Sequence, residues 1–114
     1  MVAVVDDDVS VRESLENLLA EFGYAVGAFS SAEEFLASDC VGRTGCLILD
    51  VAVPAMSGPE LQHELNDRKQ PIPIIYITAL QDERRHSQWA VECLVKPFSE
   101  TALMEALQRA GAQP

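Results

Sequence analysis

Cys46-Leu47-Ile48-Leu49-Asp50 is the stretch that decides the fold. Its leading residues are apolar without alternation, the pattern of a strand buried on both faces of a parallel sheet, and they are too few for a helix. The run stops at a carboxylate. Working outward, the same design recurs. Val2–Val5 stops at Asp6-Asp7-Asp8, and Ile74-Ile75-Tyr76-Ile77, preceded by Pro71 and Pro73, stops at Thr78. A short strand around Cys93–Val95 stops at Lys96, and Tyr24–Phe29 reads as a further strand, second in chain order.

Helical patterns fill the gaps between these runs. Ser10-Val11-Arg12-Glu13 reads as a capping box. It opens a helix whose Val11, Leu15, Leu18, Leu19 and Phe22 form one apolar stripe, with Gly23 as the stop. Ser31, with Glu34 three residues on, predicts a short helix that turns Phe35 and Leu36 inward. A Gly-containing loop, Asp39–Gly45, leads into the central strand. Ser57-Gly58-Pro59-Glu60 opens a third helix, with proline in its first turn. After Phe98 a last helix carries Leu103, Leu107 and Ala110 on one face. The consecutively polar Gln81–Gln88 offers no apolar stripe, so a fourth helix over Leu80–Ala90 is expected to be short or irregular, with Trp89 and Val91 as its large apolar anchors. Strands alternating with helices through short connections predict an α/β domain with a parallel sheet covered on both sides.

A chain of 114 residues is the size of one domain, taken here as residues 1–114. Apolar residues make up 48% and charged residues 23%, which excludes a disordered or collagen-like chain. Apolar runs reach about five residues, against the roughly 18 that a membrane span needs, and no signal-peptide pattern is present. These features predict a soluble, cytoplasmic domain. Eight Lys+Arg against 18 Asp+Glu give a net charge of −10. That balance excludes direct binding to nucleic acid and to anionic membranes, and it leaves open a divalent cation or a basic partner. Cys40, Cys46 and Cys93 are odd in number with no CxxC pair, and read as reduced thiols acting as small apolar side chains.

The chemistry lies in the residues that end the strands. In an open parallel sheet, ligands bind beyond the carboxyl ends of the strands. Asp6, Asp7, Asp50, Thr78 and Lys96 all belong to that edge. Carboxylates packed together repel one another, and a hard divalent cation relieves the repulsion. An aspartate is also a nucleophile able to form an aspartyl-phosphate. The charge on a transferring phosphoryl group calls for a cation, an ammonium and small donors around it. Each element alone has an ordinary explanation: an acidic run as a solvated turn or helix start, a strand-end Asp as a helix cap, a Lys-Pro as nothing in particular. Their occurrence together at successive strand ends is the specific signal.

Val4-Val5-Asp6-Asp7-Asp8, Leu47-Ile48-Leu49-Asp50 with Pro54-Ala55-Met56-Ser57-Gly58, Ile77-Thr78-Ala79 and Val95-Lys96-Pro97-Phe98 together resemble the receiver domains of two-component response regulators. The resemblance covers essentially the whole chain. The opening helix, the second strand and Ser31–Phe35 look most like regulators with a C-terminal helix-turn-helix output domain. The resemblance implies a flavodoxin-like (βα)5 fold with a five-stranded parallel sheet of order 2-1-3-4-5. It implies Asp50 as phosphoacceptor, and Asp6, Asp7 and Asp50 with the Ala52 backbone carbonyl as the site of Mg²⁺ (or Mn²⁺). It further implies Thr78 and Lys96 as phosphoryl-binding switch residues and a cis Lys96–Pro97 bond. The partners it implies are a sensor histidine kinase, a C-terminal output domain where the chain is a fragment, and a second copy on phosphorylation. No enzyme activity is expected beyond the domain's own phosphorylation and dephosphorylation.

Two positions depart from the family pattern. Cys93 stands where an aromatic usually reports phosphorylation, and the stretch from Thr78 to Lys96 is shorter by about one helical turn. They keep open a pseudo-receiver that signals without phosphate. An unrelated Asp-nucleophile phosphatase is the other alternative, disfavoured because Ala52 stands where its second Asp would be.

Overall fold

The structure is a computed structural model and describes residues 1–50, 58–78, 92–95 and 98–112. Strands β1 (Val2–Val5), β2 (Val26–Phe29), β3 (Cys46–Asp50), β4 (Ile74–Thr78) and β5 (Glu92–Val95) pair in parallel in the order β2-β1-β3-β4-β5. The sheet order is the expected one. Helices α1 (Val9–Glu21), α2 (Ala32–Ala37), α3 (Gly58–Asp67) and α4 (Glu100–Arg109) accompany them. The helix expected over Leu80–Ala90 lies outside the described residues.

Strand periodicity divides the apolar residues between two cores. Ala3, Val5, Leu47, Leu49 and Ile74 face Ala32, Phe35 and Leu36 of α2 and Leu61 and Leu65 of α3. Their alternating neighbours Val2, Val4, Cys46, Ile48, Ile75 and Ile77 face Leu15 and Leu19 of α1 and Leu103, Ala106 and Leu107 of α4. This two-sided burial explains why β1 and β3 read as unbroken apolar runs rather than as alternating ones. Phe29 and Phe35 meet edge to face with ring centroids 5.4 Å apart. The Arg68 guanidinium donates to the Leu36 carbonyl at 3.0 Å, tying the end of α3 to the end of α2.

Helix ends show where local chemistry decides. The α1 stop is as expected: Gly23 takes φ 95°. Its N–H donates to the Ala20 carbonyl and that of Tyr24 to the Leu19 carbonyl, each at 3.0 Å. That is a Schellman closure, which needs a left-handed residue at the glycine. Tyr24 is thereby spent on the helix end, so β2 begins at Val26 rather than at Tyr24. Ser31 caps α2 as predicted, accepting from the Glu34 N–H at 3.0 Å. The α1 start differs from the sequence reading. Asp8, not Ser10, is the N-cap, and its carboxylate accepts from the N–H groups of Ser10 at 2.9 Å and Val11 at 3.3 Å. Ser10 lies inside the helix. Asp8 wins because it holds extended backbone immediately before the first helical residue and carries a full negative charge to the positive helix end. The loop before β3 also contains an unforeseen short 3₁₀ turn, Val41–Arg43.

The cap assignment predicts that Asp8→Ala destabilises the domain by about 1 kcal/mol in urea unfolding, the usual cost of a lost N-cap. Ser10→Ala should change stability by no more than about 0.5 kcal/mol, as at most surface positions. Equal losses for both would contradict it.

Candidate functional site

Register builds the site. β1 and β3 pair with Val4 opposite Ile48 and Val5 opposite Leu49. The next residue on each chain is Asp6 and Asp50. Neighbouring parallel strands run about 4.8 Å apart, so the two carboxylates emerge side by side. Alternation turns both toward the face that Val4 and Ile48 share. Both are buried, with relative exposures of 2% for Asp6 and 6% for Asp50. Thr44 is the remaining buried polar residue among those described, and its hydroxyl donates to the Cys40 carbonyl in the loop before β3.

Asp6 is held from several directions. Its N–H donates to the Phe29 carbonyl at 3.1 Å, extending the β1–β2 ladder by one step. Its carboxylate accepts from the Asp8 N–H at 2.9 Å. Its backbone carbonyl accepts from the Arg12 guanidinium at 2.8 Å. Asp7, between two anchored neighbours, is exposed at the surface of the β1–α1 turn. Thr78 is the last residue of β4 and pairs with Val95, while Asp50 pairs with Ile77 one step before it. Cys93 lies in β5 opposite Tyr76. The structure therefore brings Asp6, Asp50 and the end of β4 to one edge of the sheet. Ala52, Lys96 and the Lys96–Pro97 bond lie outside the described residues. Sequence reasoning missed Arg12 as a part of this edge: it had been absorbed into the capping-box pattern, and nothing in the spacing pointed it at the turn before the helix.

The donor set has a definite chemical character. Asp6, Asp7 and Asp50 offer only hard oxygen ligands. Among the described residues no group of three His, Cys, Asp or Glu side chains forms a ready cage for a metal. Two buried carboxylates with a third on the adjoining turn suit Mg²⁺, which keeps several waters and takes only one or two carboxylates from the protein. They fit poorly with zinc, which favours a closed set of nitrogen and sulfur ligands.

Among the described residues the buried cysteine is Cys46, and it is unsuited to chemistry. Burial pushes the Cys46 thiol up to about 12. Such a thiol is un-ionised at neutral pH and inert as a nucleophile. Thiol modification at pH 8, read per cysteine by mass spectrometry, is expected to label half-buried Cys40 while leaving Cys46 unmodified until urea unfolds the chain. Labelling of Cys46 at the rate of Cys40 would show that the core opens at β3.

The family model for the response regulator receiver domain matches residues 2–108. The nodulation protein W of Bradyrhizobium diazoefficiens is 43% identical over 111 residues, 94% of this chain and 49% of that protein. The transcriptional regulatory protein FixJ of Rhizobium meliloti is 42% identical, covering 96% of this chain and 56% of that protein. The chain thus spans about half the length of these relatives. Among solved structures, FixJ-N superposes with a TM-score of 0.80 at 40% identity, over 96% of this chain and 90% of that one. The response regulator TrrA of Thermotoga maritima, solved in complex with Mg²⁺-BeF, gives a TM-score of 0.83 at 33% identity, over 96% of each chain.

Proposed function

Because the chain belongs to the receiver domains of response regulators, we propose that Asp50 is its phosphoacceptor and that the kinase's phosphohistidine is the donor. The observation that carries this reading is the buried placement of Asp50 beside Asp6 at the carboxyl end of the central strand. An Asp50 carboxylate oxygen attacks phosphorus as the P–N bond to the imidazole breaks. The electron pair stays on the imidazole nitrogen, and the product is an aspartyl-phosphate. Thr78 and Lys96 take the phosphoryl oxygens, a hydroxyl and an ammonium supplying the donors that spread equatorial charge requires. Asp6, Asp7 and Asp50, with the Ala52 carbonyl, would hold Mg²⁺ or, in its place, Mn²⁺. A bound divalent ion neutralises charge on the phosphoryl oxygens.

Catalysis of its own phosphorylation and dephosphorylation belongs to the same proposal, as do a cytoplasmic setting and a sensor histidine kinase as donor. We also propose a helix-turn-helix output domain C-terminal to the receiver and pairing with a second copy on phosphorylation; relatives about twice this length leave room for such a domain. Membership of the family removes the unrelated phosphatase. Signalling without phosphate draws no support from the comparisons.

Incubation with acetyl phosphate and Mg²⁺ is expected to add one phosphoryl group by mass spectrometry, and Asp50→Asn to abolish the addition. Equal labelling of the Asn variant would overturn the assignment. In a separate measurement, Mg²⁺ at about ten times its Kd should stabilise the domain by roughly 1.4 kcal/mol, a rise of about 5 °C in Tm. Asp7→Ala is expected to remove most of that rise.

A further inference from the structure

Arg12 projects from the first turn of α1 back over the turn that precedes it. Its Nη1 donates to the backbone carbonyl of Asp6 at 2.8 Å, across six residues of chain. The bond goes to the main-chain oxygen, so it fixes the residue without drawing the carboxylate into a salt bridge. That carbonyl lies one step beyond the end of β1. The Asp6 N–H is still held by β2 and its carboxylate by Asp8. The guanidinium is a direct side-chain tie between Asp6 and the body of α1.

The charge of the same cation also reaches a carboxylate at the start of α2. Glu34, in the first turn of α2, accepts from both the hydroxyl and the N–H of Ser30, at the end of β2. Its carboxyl is held below its ordinary range by those two Ser30 hydrogen bonds, with a smaller contribution from the charge of Arg12. Arg12 is thus bonded to the β1–α1 turn, and its charge is felt weakly at Glu34.

We propose that Arg12 is a positioning residue for the cation site, holding the Asp6 peptide so that its carboxylate stays beside that of Asp50. The proposal rests on the reading of Asp6 as a ligand for a divalent cation. A partner that orients a metal ligand shapes affinity without touching the metal, and losing one typically weakens binding by about tenfold or more. A guanidinium suits the task because it stays charged at every accessible pH and presents several donors from one rigid plane.

The test compares Mg²⁺ dissociation constants of the parent, Arg12→Met and Arg12→Lys by isothermal titration calorimetry, with urea unfolding in EDTA as a measure of the metal-free fold. Arg12→Met keeps the apolar stem and removes the donors. Its Mg²⁺ affinity is expected to fall about tenfold. Arg12→Lys retains a cationic donor and should recover most of the loss. Glu34→Gln, which leaves the bond to Asp6 intact, should weaken Mg²⁺ less than Arg12→Met does. If the parent binds Mg²⁺ and Arg12→Met binds it equally well, the positioning role is wrong while the receiver reading stands. If the parent itself binds no Mg²⁺, the ligand reading of Asp6 fails first. Should Arg12→Met fail to fold in EDTA, Arg12→Leu takes its place as the donorless variant: Mg²⁺ affinity about tenfold below the parent's supports the tie, and parent-like affinity overturns it.

Discussion

Everything at the functional edge depends on the parallel register of β1 against β3. Val4 lies opposite Ile48 and Val5 opposite Leu49, so the chain after each strand delivers an aspartate to the same place. A slip of one residue in either strand would send its side chains to the opposite face. It would exchange the apolar sets now divided between two cores, spoiling their fit to the helices on each face, and it would part Asp6 from Asp50. The register is thus specified by burial of valine, isoleucine and leucine on both faces, and the carboxylates inherit their placement from it. The apolar residues do the positioning.

That inheritance has an energetic consequence. Asp6 and Asp50 are both almost fully buried, and burying carboxylates costs solvation free energy that the rest of the fold must offset. They persist because the surrounding sheet is over-determined: β1 and β3 are central, paired on both edges and covered on both faces. Local conflict held in place by global consistency is where function is expected in a fold. A cation or a phosphoryl group bound at this edge would act on interactions that the apolar core has already arranged.

Much of this was legible in the sequence, and the reason is physical. A buried parallel strand must be apolar throughout, so Cys46–Asp50 and Ile74–Thr78 announce themselves with their full bounds. The strand-end aspartates were legible because an acidic residue that interrupts such a run must lie where the run leaves the core. Helix starts were less legible. Asp8 and Ser10 are both good caps, and the choice depends on where the turn after β1 places the first helical residue, a fact set in three dimensions. The 3₁₀ turn at Val41–Arg43 is too short to leave a periodicity. Arg12 escaped for another reason: its partner is a main-chain oxygen, and backbone acceptors have no letter in a sequence.

Charge magnitudes set the range over which such a site can be read. The chain carries a net charge of −10, and turning one aspartate carboxylate into an acyl phosphate of about −1.5 to −2 would change it by only about −0.5 to −1 at neutral pH. The increment is modest against the total, and the total is spread over a body whose extents are 33 × 32 × 26 Å. At physiological ionic strength the Debye length is about 8 Å, so a partner on the far side of the molecule feels little of the change. A global shift in potential is thus a poor messenger. Between buried carboxylates the screening is far weaker, and there one added charge weighs heavily. Whatever reads this edge must do so through groups in contact with it. The strand ends, the β1–α1 turn that Arg12 holds and the elements packed directly against them are the parts of the fold placed to respond.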